Sequence, residues 1–166
     1  MMLRSMLDTE AARDIVSASA SGDAWYGSST ADVLAGLDAR SAARRVDGYS
    51  HSIWEILLHT TGWIEEVARR LAGSAPSPPP DGDWPTPGDT TESAWADAQS
   101  RFHAAATELG ERIAEFDPAL WTTLVGDGRV QALGTGVTHS TMVVGVIQHN
   151  AYHTGQMALV RKAIGR

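Results

Sequence analysis

His149 and His153 are four residues apart, and on a helix that spacing stacks both imidazoles on one face, about one turn apart, where they can chelate one ion. A third imidazole comes from far away in the chain. His59 occupies a position whose companions at helical spacing, Ile53, Ile56, Trp63, Val67 and Leu71, are apolar, so periodicity assigns it to a core-facing stripe. A buried neutral imidazole keeps one donor and one acceptor, and leaving either without a partner costs on the order of 1 to 3 kcal/mol. One cation shared by three rings satisfies a nitrogen on each and leaves the other nitrogen for a hydrogen-bond acceptor. The alternative reading is that His149 and His153 are ordinary hydrogen-bonded core or boundary residues, with His59 near the bundle surface.

Three histidines with no carboxylate or thiolate among them suit zinc or nickel first, with iron and copper as further candidates, in sites where water or substrate completes the coordination. Calcium and magnesium prefer cages of oxygen ligands and are disfavoured. An open position would let the ion acidify bound water or polarise a substrate atom. Peptide hydrolysis by the zinc-protease route needs glutamate directly after the first histidine of the pair, and that residue here is Asn150. Glu55, four residues before His59, could support the ion, but with Ser52 it also completes a capping box. His51 and His139 are rival ligands at the starts of their helices, and ligand atoms must converge within about 2 Å of the ion. His103 follows Phe102 by one residue and so points about 100° away from it, toward the edge or solvent. Trp25, Trp54, Trp63, Tyr49 and Tyr152 are candidates to frame an apolar mouth beside the ion.

The elements that must position these rings are helices. Ser140 to Ile164 carries Met142, Val146, His149, His153, Met157 and Val160 as one stripe, with Gly165 as the stop. A second helix is expected from Ser52 to about Ala72, and a third from about Thr91 to Phe116, closed by Asp117-Pro118. A first helix is expected over about Leu3 to Ala20, burying Leu3, Leu7, Ala11, Ile15 and Ala18. Short helical turns are expected within Ala31 to Arg45, and Val125 to Leu133 is read as a short hairpin around Gly126-Asp127-Gly128. The segment holding Pro76, Pro78, Pro79, Pro80, Pro85 and Pro87 excludes helix and interior strand. These joints are long enough to cross the end of a bundle, so an all-α four-helix bundle with long crossover connections is expected.

At 166 residues the chain fits one domain, spanning 1–166. Thirteen Lys and Arg against twenty Asp and Glu give a formal charge of −7, which argues against nucleic acid and anionic membrane surfaces as partners. The absence of cysteine excludes disulfides, thiolate metal sites and a cysteine nucleophile. Charged residues interrupt the N-terminal apolar run and no later run approaches a membrane span, so the expected location is the cytoplasm.

Three stretches together, Ser21-Gly-Asp-Ala-Trp-Tyr-Gly27, His51-Ser-Ile-Trp-Glu-Ile-Leu-Leu-His59-Thr-Thr-Gly-Trp63 and Gly145-Val-Ile-Gln-His149-Asn-Ala-Tyr-His153-Thr-Gly-Gln156, resemble the DinB-like superfamily of bacterial metal-binding four-helix bundles. The resemblance spans most of the chain. It implies a metal held by the histidine of the second long helix and the pair on the last, which map onto His59, His149 and His153. Many relatives carry aspartate where this chain has Asn150, so a charge beside the site is missing here. Relatives include thiol transferases that use mycothiol, bacillithiol or glutathione, and proteins classed as metal-dependent hydrolases. The resemblance therefore implies a metal-dependent enzyme for a small molecule, a thiol S-transferase or hydrolase; separately, a homodimer is the expected assembly. The competing expectation is a non-catalytic module that binds a metal or small ligand, with a link to stress.

Overall fold

The computed structural model describes residues 8–165, which form six α-helices and two single-turn 3-10 helices, with no strand among the described residues. The helices are α1 (Thr9–Ser21), α2 (Thr30–Leu34), α3 (Ala39–Ala43), α4 (Ile53–Leu71), α5 (Glu92–Glu115) and α6 (His139–Ala163). The four long ones form the bundle: α1 and α4 each pack against both α5 and α6. The helices consecutive in the chain at two of the joints, α1 then α4 and α5 then α6, are therefore diagonal, which is what the long connections permit. None of these helices is long and apolar enough to cross a membrane.

Local chemistry sets the boundaries. Ser52 and Glu55 form a reciprocal capping box at the start of α4, and Gly73 follows its end at a φ of +94°, a conformation open to glycine. Thr91 caps α5 and Thr138 caps α6, each accepting a hydrogen bond from the backbone three residues on. α4 is the central element. Fifteen of its nineteen residues are buried, so its apolar surface reaches well round the cylinder.

α1 departs from expectation. Asp8 caps it, and the part assigned to Leu3 and Leu7 lies outside the described residues. The buried face is Ala12, Val16, Ser19 and Ala20, one residue on from the expected stripe, while Ile15 is 47 % exposed. In a helix so rich in alanine and serine, adjacent faces differ little in hydropathy, and packing against α5 chooses between them. The expected hairpin over 125–133 is also corrected. Leu124 pairs with Thr138, Val125 donates to the carbonyl of Val137, and residues 131–133 form a single 3-10 turn. Gly136, at a φ of +72°, makes the close return, since a Cβ there would lie 2.7 Å from the Arg129 backbone.

Two features fix the loops near α4. Pro79 lies so close that a Cβ on Gly62 would come within 3.1 Å of its ring, so glycine at 62 lets the proline-rich segment settle on the helix. Below it, Glu66 is fully buried and accepts from Arg70 Nε at 2.7 Å, from Arg69 and from the Ser77 amide at 2.8 Å. Arg70 extends the network to the carbonyl of Leu133 at 2.8 Å. A buried charge pair holds only when its remaining hydrogen-bond sites are filled, as they are here.

Candidate metal centre

His59 projects from the middle of α4 and His149 and His153 from the middle of α6, where the two helices pack. Their three ligand-capable nitrogens lie within 4.8 Å of one another, close enough to hold one metal ion. The pair on α6 meets edge to face, with ring centroids 4.4 Å apart, and His59 closes the triangle at 4.9 Å from His149 and 4.7 Å from His153.

Hydrogen bonds on the far side of two of the rings assign their protons. His59 Nδ1 lies 2.5 Å from the carbonyl oxygen of Asp83, which can only accept, so Nδ1 carries the hydrogen and Nε2 is bare. His153 Nδ1 lies 2.6 Å from Gln156 Oε1, and the amide is oriented by its own donation to Tyr152 Oη at 3.0 Å. Its Nε2 is bare for the same reason. His149 has no such partner: its Nδ1 is buried and unmatched, and its Nε2 stands 3.0 Å from the bare Nε2 of His59. Two ring nitrogens hold that distance when a proton or a cation lies between them. A cation would satisfy one nitrogen on each of the three rings at once, and the all-nitrogen donor set fits it.

Burial favours the neutral form of all three rings. Burial pushes the pKa of His149 down to about 4, with His153 and His59 adding repulsion. Burial also brings His153 to about 4 against the opposing hydrogen bond to Gln156. His59 is lowered by burial too, although the Asp83 carbonyl and carboxylate pull the other way. Neutral imidazoles keep the lone pairs that bind a cation.

The proline-rich segment contributes two residues that spacing did not reveal. Asp83 accepts from Trp63 Nε1 at 2.7 Å, with the same carboxylate 3.3 Å from His59 Nδ1. Trp84 stacks on His59 at 3.8 Å and on His51 at 3.7 Å, nearly parallel to both. Two coplanar rings cannot share one indole face at those distances, so Trp84 is held between the two imidazoles. Gln156 was also missed. Its position three residues after His153 on the same helix was the available signal.

The other sequence candidates fall elsewhere. His51 stays outside the nitrogen cluster, behind Trp84. His139 opens α6 and meets Thr123 at 3.1 Å. His103 is half-buried and lines a groove between α1 and α5. Glu55 serves the cap and pairs with Arg45 rather than with His59; burial raises its pKa, but the Ser52 amide and Arg45 outweigh that and the net shift is down. Asn150 is buried with its Oδ1 unmatched. Of the five aromatics, Trp63 and Tyr152 border the site. Trp54 packs on Trp95, Tyr49 is exposed and Trp25 is fully exposed, so these three do not frame it.

A cleft of about 450 Å³ opens beside His59 and His149, walled by Trp63, Val67, Met142 and Val146 from the helices and by Arg129 and Leu133 from the loop before α6. Its size falls within the range of small-molecule sites. A family model described as the DinB superfamily matches residues 26–157. No curated protein and no solved structure matches the chain.

Proposed function

Because the chain belongs to the DinB superfamily, we propose that it is a metal-dependent enzyme acting on a small molecule, with His59, His149 and His153 as the ligands of one divalent transition metal. Nitrogen-only donors favour zinc or nickel, with iron and copper next. The observation that carries this reading is the meeting of three imidazoles, two of which, His59 and His149, line an open cleft. A metal buried on all sides would have a structural role, whereas a cleft at the ligands gives a reactant access. A divalent ion held there supplies Lewis acidity toward a thiol, a water or a substrate atom.

The chain's own residues do the rest. Asp83 and Gln156 hold the ring protons of His59 and His153 on the sides away from the cluster. Trp84 covers the flank of His59, and the apolar wall of Trp63, Val67, Met142 and Val146 excludes water from part of the cleft. Thiol S-transfer to a small electrophile and hydrolysis are the two reactions this reading allows. Elemental analysis of protein purified without a histidine tag, followed by assays with low-molecular-weight thiols and epoxide or chlorinated acceptors, tests it. Turnover that exceeds the metal-stripped protein supports it, and equal rates across all acceptors count against an enzyme.

A second reading, a non-catalytic metal-binding module, draws on the burial of His59 and His153, each 5 % exposed. There the ion would knit α4 to α6. It predicts full metal occupancy, no turnover, and a large fall in melting temperature on chelation.

A further inference from the structure

The walls of the cleft divide by chemistry. Trp63, Val67, Leu133, Val137, Met142 and Val146 make it apolar along its length. Two arginines line it as well, and they are not equivalent. Arg70 is 4 % exposed and its charge is met by Glu66, with Leu133 and Ser77 carbonyls taking its other donors. Arg129 is exposed, donates one hydrogen bond to the Thr135 carbonyl at 3.0 Å, and has no carboxylate within ion-pair distance among the described residues. On a chain of formal charge −7, this guanidinium stands at the rim of an apolar cleft without a counter-charge. It also keeps the flat fork of donors that suits a carboxylate or phosphate.

We propose that the cleft takes a molecule with an apolar body and an anionic end, the body lying along the Trp63–Met142–Val146 wall and the anion pairing with Arg129. The proposal rests on the cleft being the substrate site of the metal-dependent reading, and it assigns the class of substrate. It orients that substrate too, because Arg129 belongs to the loop before α6 while His59 and His149 lie on α4 and α6, so different elements of the lining carry the guanidinium and the imidazoles. The end of the molecule away from the anion would then face the imidazoles. Gln131 and Thr141 add neutral polar groups along the wall, and neither supplies a competing charge. Asp83 is the carboxylate of the lining, and it is engaged by Trp63 and His59.

A matched pair of probes tests this: 4-phenylbutyrate and 4-phenylbutan-1-ol, which differ in charge at one end. Their binding is measured by calorimetry on metal-loaded and metal-stripped protein, on Arg129→Gln and on Gly145→Phe. Metal content of every sample is measured in parallel. The wild-type protein should prefer the carboxylate by about fivefold or more, the expected worth of a charged hydrogen-bonded pair at a partly exposed site. Arg129→Gln should abolish that preference while leaving the alcohol's affinity unchanged. The preference should survive metal removal, since Arg129 is carried by a loop remote from the ligands in sequence. Gly145 lines the cleft in helical conformation with nothing within 4 Å of an added Cβ, so Gly145→Phe should fit the helix and weaken both probes.

A carboxylate preference that Arg129→Gln leaves intact, but that metal removal destroys, would overturn the proposal and place the anion on the ion instead, with the metal reading standing. Binding of both probes unaffected by Gly145→Phe, or binding of neither, would also overturn it. Absence of metal together with an Arg129-dependent preference would uphold the ligand class and refute the metal-dependent reading.

Discussion

The indole of Trp84 lies against the imidazole of His59 with centroids 3.8 Å apart and planes 2° from parallel, although the two belong to a proline-rich loop and a central helix. Trp84 thereby limits the tilt of His59, while the neighbouring Asp83 carbonyl limits its rotation. Replacing Trp84 with alanine should leave the bundle folded and weaken metal binding about tenfold, the scale seen when groups that orient metal-binding histidines are lost. Competition with a chromophoric chelator reads that affinity. An unchanged constant would show that the stacking does not orient the ring.

The three histidines should fail individually. His59→Ala, His149→Ala and His153→Ala each leave two nitrogen donors, and each purified variant should retain only a small fraction of the metal held by the wild type. Circular dichroism should show the helical content preserved. Full occupancy in any one variant removes that residue from the ligand set.

Acid should destabilise the metal-free protein through these same rings. His149 and His153 have folded pKa values of about 4, below the unfolded value near 6.5. Between those limits the unfolded chain binds more protons than the folded one, so stability falls as pH drops from about 6.5 to about 4 and levels off below. Urea midpoints of the stripped protein across that window, compared with a His149→Gln, His153→Gln variant, isolate the contribution. The variant should show the shallower decline, and parallel curves would exclude it.

Glu66→Gln removes the counter-charge of a guanidinium that is almost fully buried. The expected loss is about 3 to 5 kcal/mol, the penalty for stranding one member of a buried pair. Urea denaturation measures it, and a loss no larger than that of a surface substitution would show that Arg70 finds another partner or reaches water.

A smaller loss is expected at the helix start. Ser52→Ala deletes half of the capping box at α4 and should cost about 1 kcal/mol without altering the metal content. A larger cost would mean that the cap also holds the chain carrying His51.

The parts legible in the sequence were those written at helical spacing. On α4 and α6 the histidines interrupt rows of large apolar residues, so a single period identified both the buried face and the three imidazoles that meet on it. The same reasoning slipped by one residue on α1, where Val16 and not Ile15 turns inward, because small side chains blur the contrast between adjacent faces. It also misplaced the return of the chain after Val125, where three glycines at positive φ, Gly126, Gly134 and Gly136, let residues 134–138 fold back. Asp83 and Trp84 could not be read at all. Their role depends on where a non-repetitive segment lands, which Gly62 and Pro79 decide through a contact across seventeen residues of chain.

Glu66 touches neither the imidazoles nor the cleft's rim, yet through the Ser77 amide and, by way of Arg70, the Leu133 carbonyl it ties together two surface segments separated by more than fifty positions. Those segments are mechanically one unit. An insertion or deletion engineered into either should disturb the other, so grafting experiments that aim to reshape the entrance must transplant both segments with their common anchor.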